Sequence, residues 1–247
     1  MKVSLITISF NSIETIQETI DTVKSQSILG DIEYIVIDGN STDGTKELLA
    51  NESCITKFIS EKDYGIYDAM NKGLRIATGD IVGFINSDDL LLESNVIENI
   101  VQAFRDYNAD VVYANLFYVK REDPSIIVRK WKSKKYFNRF FEFGHVPPHP
   151  TFYIKIDLLD KVGLFNTRFK LAADYEFMFR TLKIQNLRAH YLDKYTVKMR
   201  LGGATNLSLG NIFKQNIEIM KAWEVNGLES PFYFLPIRIL HKILQFF

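Results

Sequence analysis

At 247 residues and 47% hydrophobic content the chain can bury a full core, as one domain or as one with an appendage. One cysteine, Cys54, rules out an internal disulfide framework and suits a reducing compartment. Net charge is zero but unevenly laid out: residues 1–125 carry 10 Lys/Arg against 21 Asp/Glu and the remainder 20 against 9, giving an acidic half suited to cations and a basic half suited to a phosphorylated or membrane-borne partner.

The opening, Met1-Lys-Val-Ser-Leu-Ile6, is too short and strand-like for a secretion signal, and no apolar run reaches the ~18 residues of a spanning helix. Residues 2–9 predict a first strand. Asn11 or Ser12 then caps a helix whose apolar face is Ile13, Ile16, Ile20 and Val23, with Glu14 in its first turn. Gly30 and Asp31 break the chain before a second strand at 33–37. A turn cluster from Asp38 to Gly44 leads to a short helix ending at Ala50. Residues 55–59 predict a third strand, 67–77 a helix closed by Gly79, and 81–85 a central buried strand. A helix over 95–107 and a strand over 110–118 follow. This alternation predicts an α/β fold with a doubly wound, mostly parallel sheet. Past Pro124 the composition turns basic and aromatic. A strand at 151–154 and a helix at 173–184 read there as additions to one edge of the sheet.

The central strand ends in Asn86-Ser-Asp-Asp89, placing two adjacent carboxylates where open α/β sheets bind ligands. Adjacent acids repel unless a cation joins them. Hard divalent ions take oxygen ligands and often hold substrate phosphates too. The pattern points to a metal–diphosphate site; its competitor is a solvated turn with Asp89 capping the next helix. Asp38 ends the second strand on the same rim. The loop after it is no calcium hand, because Asp43 stands where the turn glycine belongs and Leu49 where the bidentate Glu belongs. No Walker A sequence or strand-linked Gly-x-Gly-x-x-Gly is present. An Asp-x-Asp phosphatase would need an acid at Asn40.

Four segments carry a resemblance: Ile6-Thr-Ile-Ser-Phe-Asn11, Ile35-Val-Ile-Asp-Gly-Asn-Ser-Thr-Asp-Gly-Thr45, Ser60-Glu-Lys-Asp-Tyr-Gly-Ile-Tyr-Asp-Ala-Met-Asn-Lys-Gly73 and Asn86-Ser-Asp-Asp89. In this order and spacing residues 1–100 resemble the family 2 glycosyltransferases. Pro148-His-Pro-Thr-Phe152, Ala173-Asp-Tyr-Glu176 and Gly202-Gly203 resemble that family's acceptor-side elements. The resemblance implies a GT-A fold, with a nucleotide-sugar-binding half over 1–125, an acceptor-binding half over 126–230 and an amphipathic helix over 231–247. It implies that Ser9 and Asn11 line the nucleotide pocket and that Asp38 accepts from the uracil N–H, as an ionised acid must. Asn71 and Lys72 would pack under the donor, or else be plain exposed helix residues. Asp88 would touch ribose or sugar, and Asp89 would ligate Mn²⁺ or Mg²⁺ on the diphosphate.

The family's base is the Asp of a Glu-Asp pair opening a helix. Here the pair reads Ala173-Asp174, so Asp174 holds the base position without the preceding acid, and Glu176 or Tyr175 supplies secondary contacts. An ordinary helix N-cap is the competing reading of Asp174. The implied reaction is inverting transfer of a hexose or N-acetylhexosamine from a UDP-sugar to a polyprenyl-diphosphate-linked sugar. It would take place at the cytoplasmic face of the membrane, as in bacterial enzymes that build O-antigen, capsule or exopolysaccharide units.

His145 and His149 have the spacing of a helical zinc pair, but Pro147 and Pro148 intervene. His149 then contacts diphosphate or acceptor, or is a plain loop histidine. Gly202 and Gly203, with Arg200 and Thr205, form either a lid whose amides meet phosphate oxygens or a simple turn. Residues 129–139 interleave basic side chains with Trp131, Tyr136 and Phe137, a mix found in nucleic-acid binders. No nucleic-acid motif accompanies them, so a membrane surface, a lipid diphosphate or a solvated face is the reading. From Pro236 onward Arg238, His241, Lys242 and Gln245 share one helical face, with Ile237, Ile239, Leu240, Ile243, Leu244, Phe246 and Phe247 around the rest. Such a helix lies in a membrane interface or docks on the protein's own core. Two other functions fit less well. A sugar nucleotidyltransferase would carry a glycine-rich basic loop where residues 9–13 have neither feature. A dead sugar-binding protein would have lost Asp89 or Asp174.

Overall fold

A computed structural model describes residues 1–202 and 209–244. The first half alternates strand and helix: β1 (Val3–Ser9), α1 (Ile16–Lys24), β2 (Ile32–Asp38), α2 (Thr45–Ala50), β3 (Lys57–Ser60), α3 (Ile66–Ile76) and β4 (Ile81–Phe84). Then come β5 (Leu90–Leu91), α4 (Val96–Tyr107), β6 (Val111–Val119), β7 (Ile127–Trp131), β8 (Tyr153–Lys155), α5 (Leu159–Val162), α6 (Ala173–Phe179), β9 (Ala189–Arg200), α7 (Leu209–Val225) and α8 (Phe234–Leu244). The helix expected over 173–184 is α6 continued by a π-type turn over Arg180–Ile184.

Among the described residues nine strands form one sheet in the order β3-β2-β1-β4-β8-β6-β9-β5, with β7 on β6. β1 and β2 are buried along their whole length, which explains why both read as near-continuous apolar runs. Alternate residues feed two cores. Ile6, Ile8, Ile35 and Ile37 face α3, α6 and Trp223 of α7. Leu5, Tyr34, Val36 and Ile81 face α1 and α4. The parallel set β3-β2-β1-β4 matches the doubly wound expectation.

Beyond β4 the outcome differs from simple addition at one edge. β8 enters antiparallel between β4 and β6, and β9 runs parallel to β6 with β5 outside it. Gly83 makes the β4–β8 contact possible, since a Cβ there would stand 2.2 Å from the Tyr153 ring. The cap of α1 also differs: the helix starts at Ile16 without a side-chain cap, and Glu18 rather than Glu14 sits in its first turn.

Glu33 is buried in β2, where it joins three parts of the chain. It accepts from Ser4 Oγ at 2.6 Å, Thr78 N at 2.7 Å and Thr78 Oγ1 at 2.6 Å, and pairs with Lys57 at 2.8 Å. Burial alone would raise its pKa. The Lys57 ammonium and the Ser4 and Thr78 donors outweigh that and hold the carboxyl well below the usual glutamate range. Its contribution is therefore present above the ordinary glutamate pKa and lost as pH falls toward the folded-state value. Glu33→Gln is expected to lower the unfolding free energy by about 2–3 kcal/mol at neutral pH. In urea titrations at stepped pH, the gap from wild type should narrow in acid.

Candidate active site at the strand ends

A cavity of about 1050 Å³ opens where β1 and β4 leave the sheet. Phe10, Asn11 and Ser12 line it from β1, and Asn86, Ser87 and Asp88 from β4. The start of α6 contributes Asp174 and Tyr175, the loop before β8 contributes His149, and α8 contributes Arg238 and His241. The basic stretch after Arg129 also turns its first six residues toward the cavity, Arg129–Lys134, so much of the segment is wall rather than free surface.

Loop 86–89 is fixed through its main chain. Three consecutive carbonyls are captured: Ser87 by Thr15 Oγ1 at 2.9 Å, Asp88 by Arg200 Nη1 at 2.8 Å, and Asp89 by Thr19 Oγ1 at 2.8 Å. Ser12 Oγ meets Ser87 Oγ at 2.9 Å, joining the two strand-end loops, which is where the expected capping serine went instead. Thr15 and Thr19 were not foreseen as site residues. Their signal was there to read: two threonines one turn apart beside the apolar face of α1.

The two carboxylates have different settings. Asp88 lines the cavity, with Arg121 at 3.9 Å. Asp89 is buried behind it, its Oδ2 accepting from Asn86 Nδ2 at 2.8 Å and its Oδ1 without a partner among the described residues. Burial pushes both carboxyls up, and the neighbouring Asp88 charge pushes Asp89 further. An orphaned carboxylate oxygen beside a second, part-exposed carboxylate is the donor chemistry a hard divalent cation completes.

The structure brings Asn11, Asp88, His149 and Asp174 onto one cavity. Asn11 adopts φ 48°, a left-handed conformation asparagine tolerates, and its Oδ1 accepts from Thr42 N at 2.9 Å. Tyr67 Oη donates to Asp174 Oδ1 at 3.1 Å. Burial and the Asp174 charge push that phenol well above its ordinary pKa, so it stays protonated. His149 sits between Phe84 and Phe165, with centroids 5.4 and 5.8 Å away. Burial lowers its pKa, partly opposed by Asp174.

Other expected residues are engaged elsewhere, and of these only Tyr175 lines the cavity. Asp38 is buried and accepts from Ser41 N, Ser41 Oγ and Ser60 Oγ. Its register partner Ser9 is buried, its hydroxyl without a partner among the described residues. Asn71 is not an exposed helix residue but clamps the Phe165 main chain, donating to its O and accepting from its N, both at 2.9 Å. Lys72 pairs with Glu61 at 2.7 Å. Glu176 is taken by Arg180, and the Tyr175 hydroxyl accepts from Trp223 Nε1. Arg200, expected near phosphate oxygens, is fully buried as a strut from the Asp88 carbonyl to the Arg121 carbonyl and Glu18. Gly202 has φ 107°; Gly203 and Thr205 lie outside the described residues.

Residues 4–162 match the family described as Glycosyl transferase family 2. An uncharacterised glycosyltransferase of Mycobacterium tuberculosis is 33% identical over 181 residues, covering 72% of this chain and 68% of that protein. A PGL/p-HBAD biosynthesis glycosyltransferase of Mycobacterium bovis is 24% identical over 227 residues, covering 87% and 83%. Among solved structures, S. aureus TarS 1-349 in complex with UDP-GlcNAc is similar with TM-score 0.69 and 19% identity, covering 93% of this chain and 68% of that one. The mannosyltransferase PcManGT of Pyrobaculum calidifontis, with GDP-Man and Mn2+, gives 0.67 at 21%, covering 98% and 69%.

Arg200→Met would remove the donors to the Asp88 and Arg121 carbonyls and the pairing with Glu18. We expect it to destabilise the fold by about 2–4 kcal/mol in thermal or urea unfolding.

Proposed function

The chain belongs to glycosyltransferase family 2, and on that premise we propose that it transfers a hexose or N-acetylhexosamine, with inversion, from a UDP-sugar to a lipid-diphosphate-linked saccharide in O-antigen, capsule or exopolysaccharide synthesis. One observation carries the reading: Asp88 and Asp174, 86 residues apart in sequence, face the same cavity. The fold-level likeness to TarS, solved with UDP-GlcNAc, supports a UDP-sugar donor, and the likeness to PcManGT, solved with Mn2+, supports a divalent ion.

In this reading the donor lies along the ends of β1 and β4. Asn11 serves the nucleotide end, and Ser9 and Asp38, at the ends of β1 and β2, shape the loops against which the uracil packs. Asp89 would hold Mn²⁺ or Mg²⁺, with Asp88 beside it toward the ribose or sugar, and the ion's charge would offset the negative charge left on the diphosphate. Asp174 accepts the proton of the acceptor hydroxyl as that oxygen attacks the anomeric carbon. The bond from that carbon to the phosphate oxygen breaks, and UDP leaves with the electron pair. Tyr67 orients the Asp174 carboxylate by donating to Oδ1, leaving the other oxygen for the acceptor. His149, kept neutral by burial, is positioned to hydrogen-bond donor or acceptor without adding charge.

The enzyme would work as a peripheral protein on the inner face of the membrane, where such an acceptor resides. No helix among the described residues is long and apolar enough to cross a membrane. The outer side of α8 nonetheless exposes Ile239 and Leu240, and Phe232 just before it is 94% exposed. These side chains support an interfacial contact.

The function is tested by measuring UDP release from a panel of UDP-sugars with and without Mn²⁺, with a lipid-diphosphate GlcNAc acceptor. Asp89→Ala is expected to abolish metal-dependent turnover. Asp174→Asn should bind donor but lose transfer by about a thousandfold or more. Full transfer by Asp174→Asn would remove it as the base. Ile239→Ser with Leu240→Ser should reduce co-sedimentation with anionic vesicles; undiminished binding would exclude α8 as the membrane contact.

A further inference from the structure

The C-terminal helix docks with its polar side inward. Phe234 is buried 5.4 Å from Trp223, and His241 stacks on His145 at 4.4 Å. Gly144, at φ 72°, lets α8 approach so closely that a Cβ there would lie 2.8 Å from the Arg238 Cα. This contact sets Arg238 and His241, one helical turn apart, into the cavity wall.

Both side chains lack something. Arg238 is 6% exposed and its Nε has no partner among the described residues, and the same holds for His241 Nδ1. A buried guanidinium with an unpartnered N–H and no ion pair among the described residues, the Asp174 charge acting on it only from a distance, is unfavourable, and proteins retain one mainly where an anion arrives. The surroundings favour an anion as well. Lys134 lies near enough to His145 and His241 to lower the pKa of both, beyond the larger effect of burial. Over the whole cavity lining, seven Lys/Arg face three Asp among the described residues.

We infer that Arg238, His241 and Lys134 form an anion subsite that receives a phosphate of the acceptor, separate from the donor diphosphate at the strand ends. The inference rests on the transferase reading above. Position argues for the acceptor: the Arg238 guanidinium lies 5.4 Å from the Tyr175 ring, next to Asp174, rather than beside Asp88. The acceptor's phosphate therefore binds close to the sugar that carries the attacking hydroxyl, which favours a short lipid-linked saccharide over a long one. Arg238 offers a planar fork and His241 a rotatable second donor, a pairing suited to phosphate oxygens.

The test titrates inorganic pyrophosphate into protein saturated with UDP, by calorimetry and by the shift in melting temperature. Wild type should bind a further equivalent and gain thermal stability. Arg238→Met should lose affinity about tenfold or more, while melting no lower than wild type when pyrophosphate is absent, since it removes a buried charge that has an unpartnered N–H. Arg238→Lys should recover part of the affinity. In steady state, Arg238→Gln should raise the KM of an octyl-diphosphate sugar about tenfold more than that of the octyl glycoside. Unaltered pyrophosphate affinity in Arg238→Met, no binding to the UDP-saturated wild type, or equal KM changes for the two acceptors would overturn the subsite. Absence of UDP-sugar binding in wild type would instead overturn the transferase reading, so the two failures are distinguishable.

Discussion

The site depends on how three main-chain carbonyls are held. Ser87, Asp88 and Asp89 each present a carbonyl that a side chain from elsewhere captures: Thr15 just before α1, Arg200 at the end of β9 and Thr19 in α1. Acids placed side by side resist being confined, and their own side-chain bonds cannot do it if they are to remain free for a ligand. Fixing the backbone instead leaves Asp88 facing the cavity and one Asp89 oxygen uncommitted. The buried guanidinium of Arg200 reaches this loop from 112 residues away, so the rim is rigid only once β9 is in place.

The uneven charge of the chain becomes intelligible at the cavity. The acidic first half contributes Asp63 and Asp88, and the basic second half supplies most of the cationic wall, from Arg129 through Lys134 and on to Arg238. A zero net charge thus conceals a partition between an acidic rim and a basic wall. The distribution is one of partners rather than of folding.

The parallel strands were readable because burial on both faces makes each a Val/Ile run, and because helices of period 3.6 separate them. Asp88 and Asp174 were readable because motif and spacing mark them. What stayed hidden came from long-range pairing. β9 mixes Lys, Asp, Tyr and Arg because one side is only partly buried, so its sequence lacks strand-like alternation. β7 looked like a basic tract, and its pairing with β6 could not be inferred from its charges. Asp38, Asn71 and Arg200 stand in motifs where a polar residue can serve the ligand or the loop that surrounds it. Only their hydrogen bonds reveal that here they hold Ser41 and Ser60, Phe165, and Asp88.

The insertion of β8 between β4 and β6 has a consequence for how the polypeptide is made. Until residue 155 has emerged from the ribosome, β4 presents a bare apolar edge with Gly83 uncovered, and β6 lacks its partner along Val111 and Val112. Strands in that state invite pairing with other nascent chains. The donor-side residues therefore do not make a free-standing folding unit, and early termination within the middle of the message would yield a sticky fragment rather than a smaller working protein. High sequence separation across the central ladder also makes closure slow, which favours expression at low temperature or slow translation.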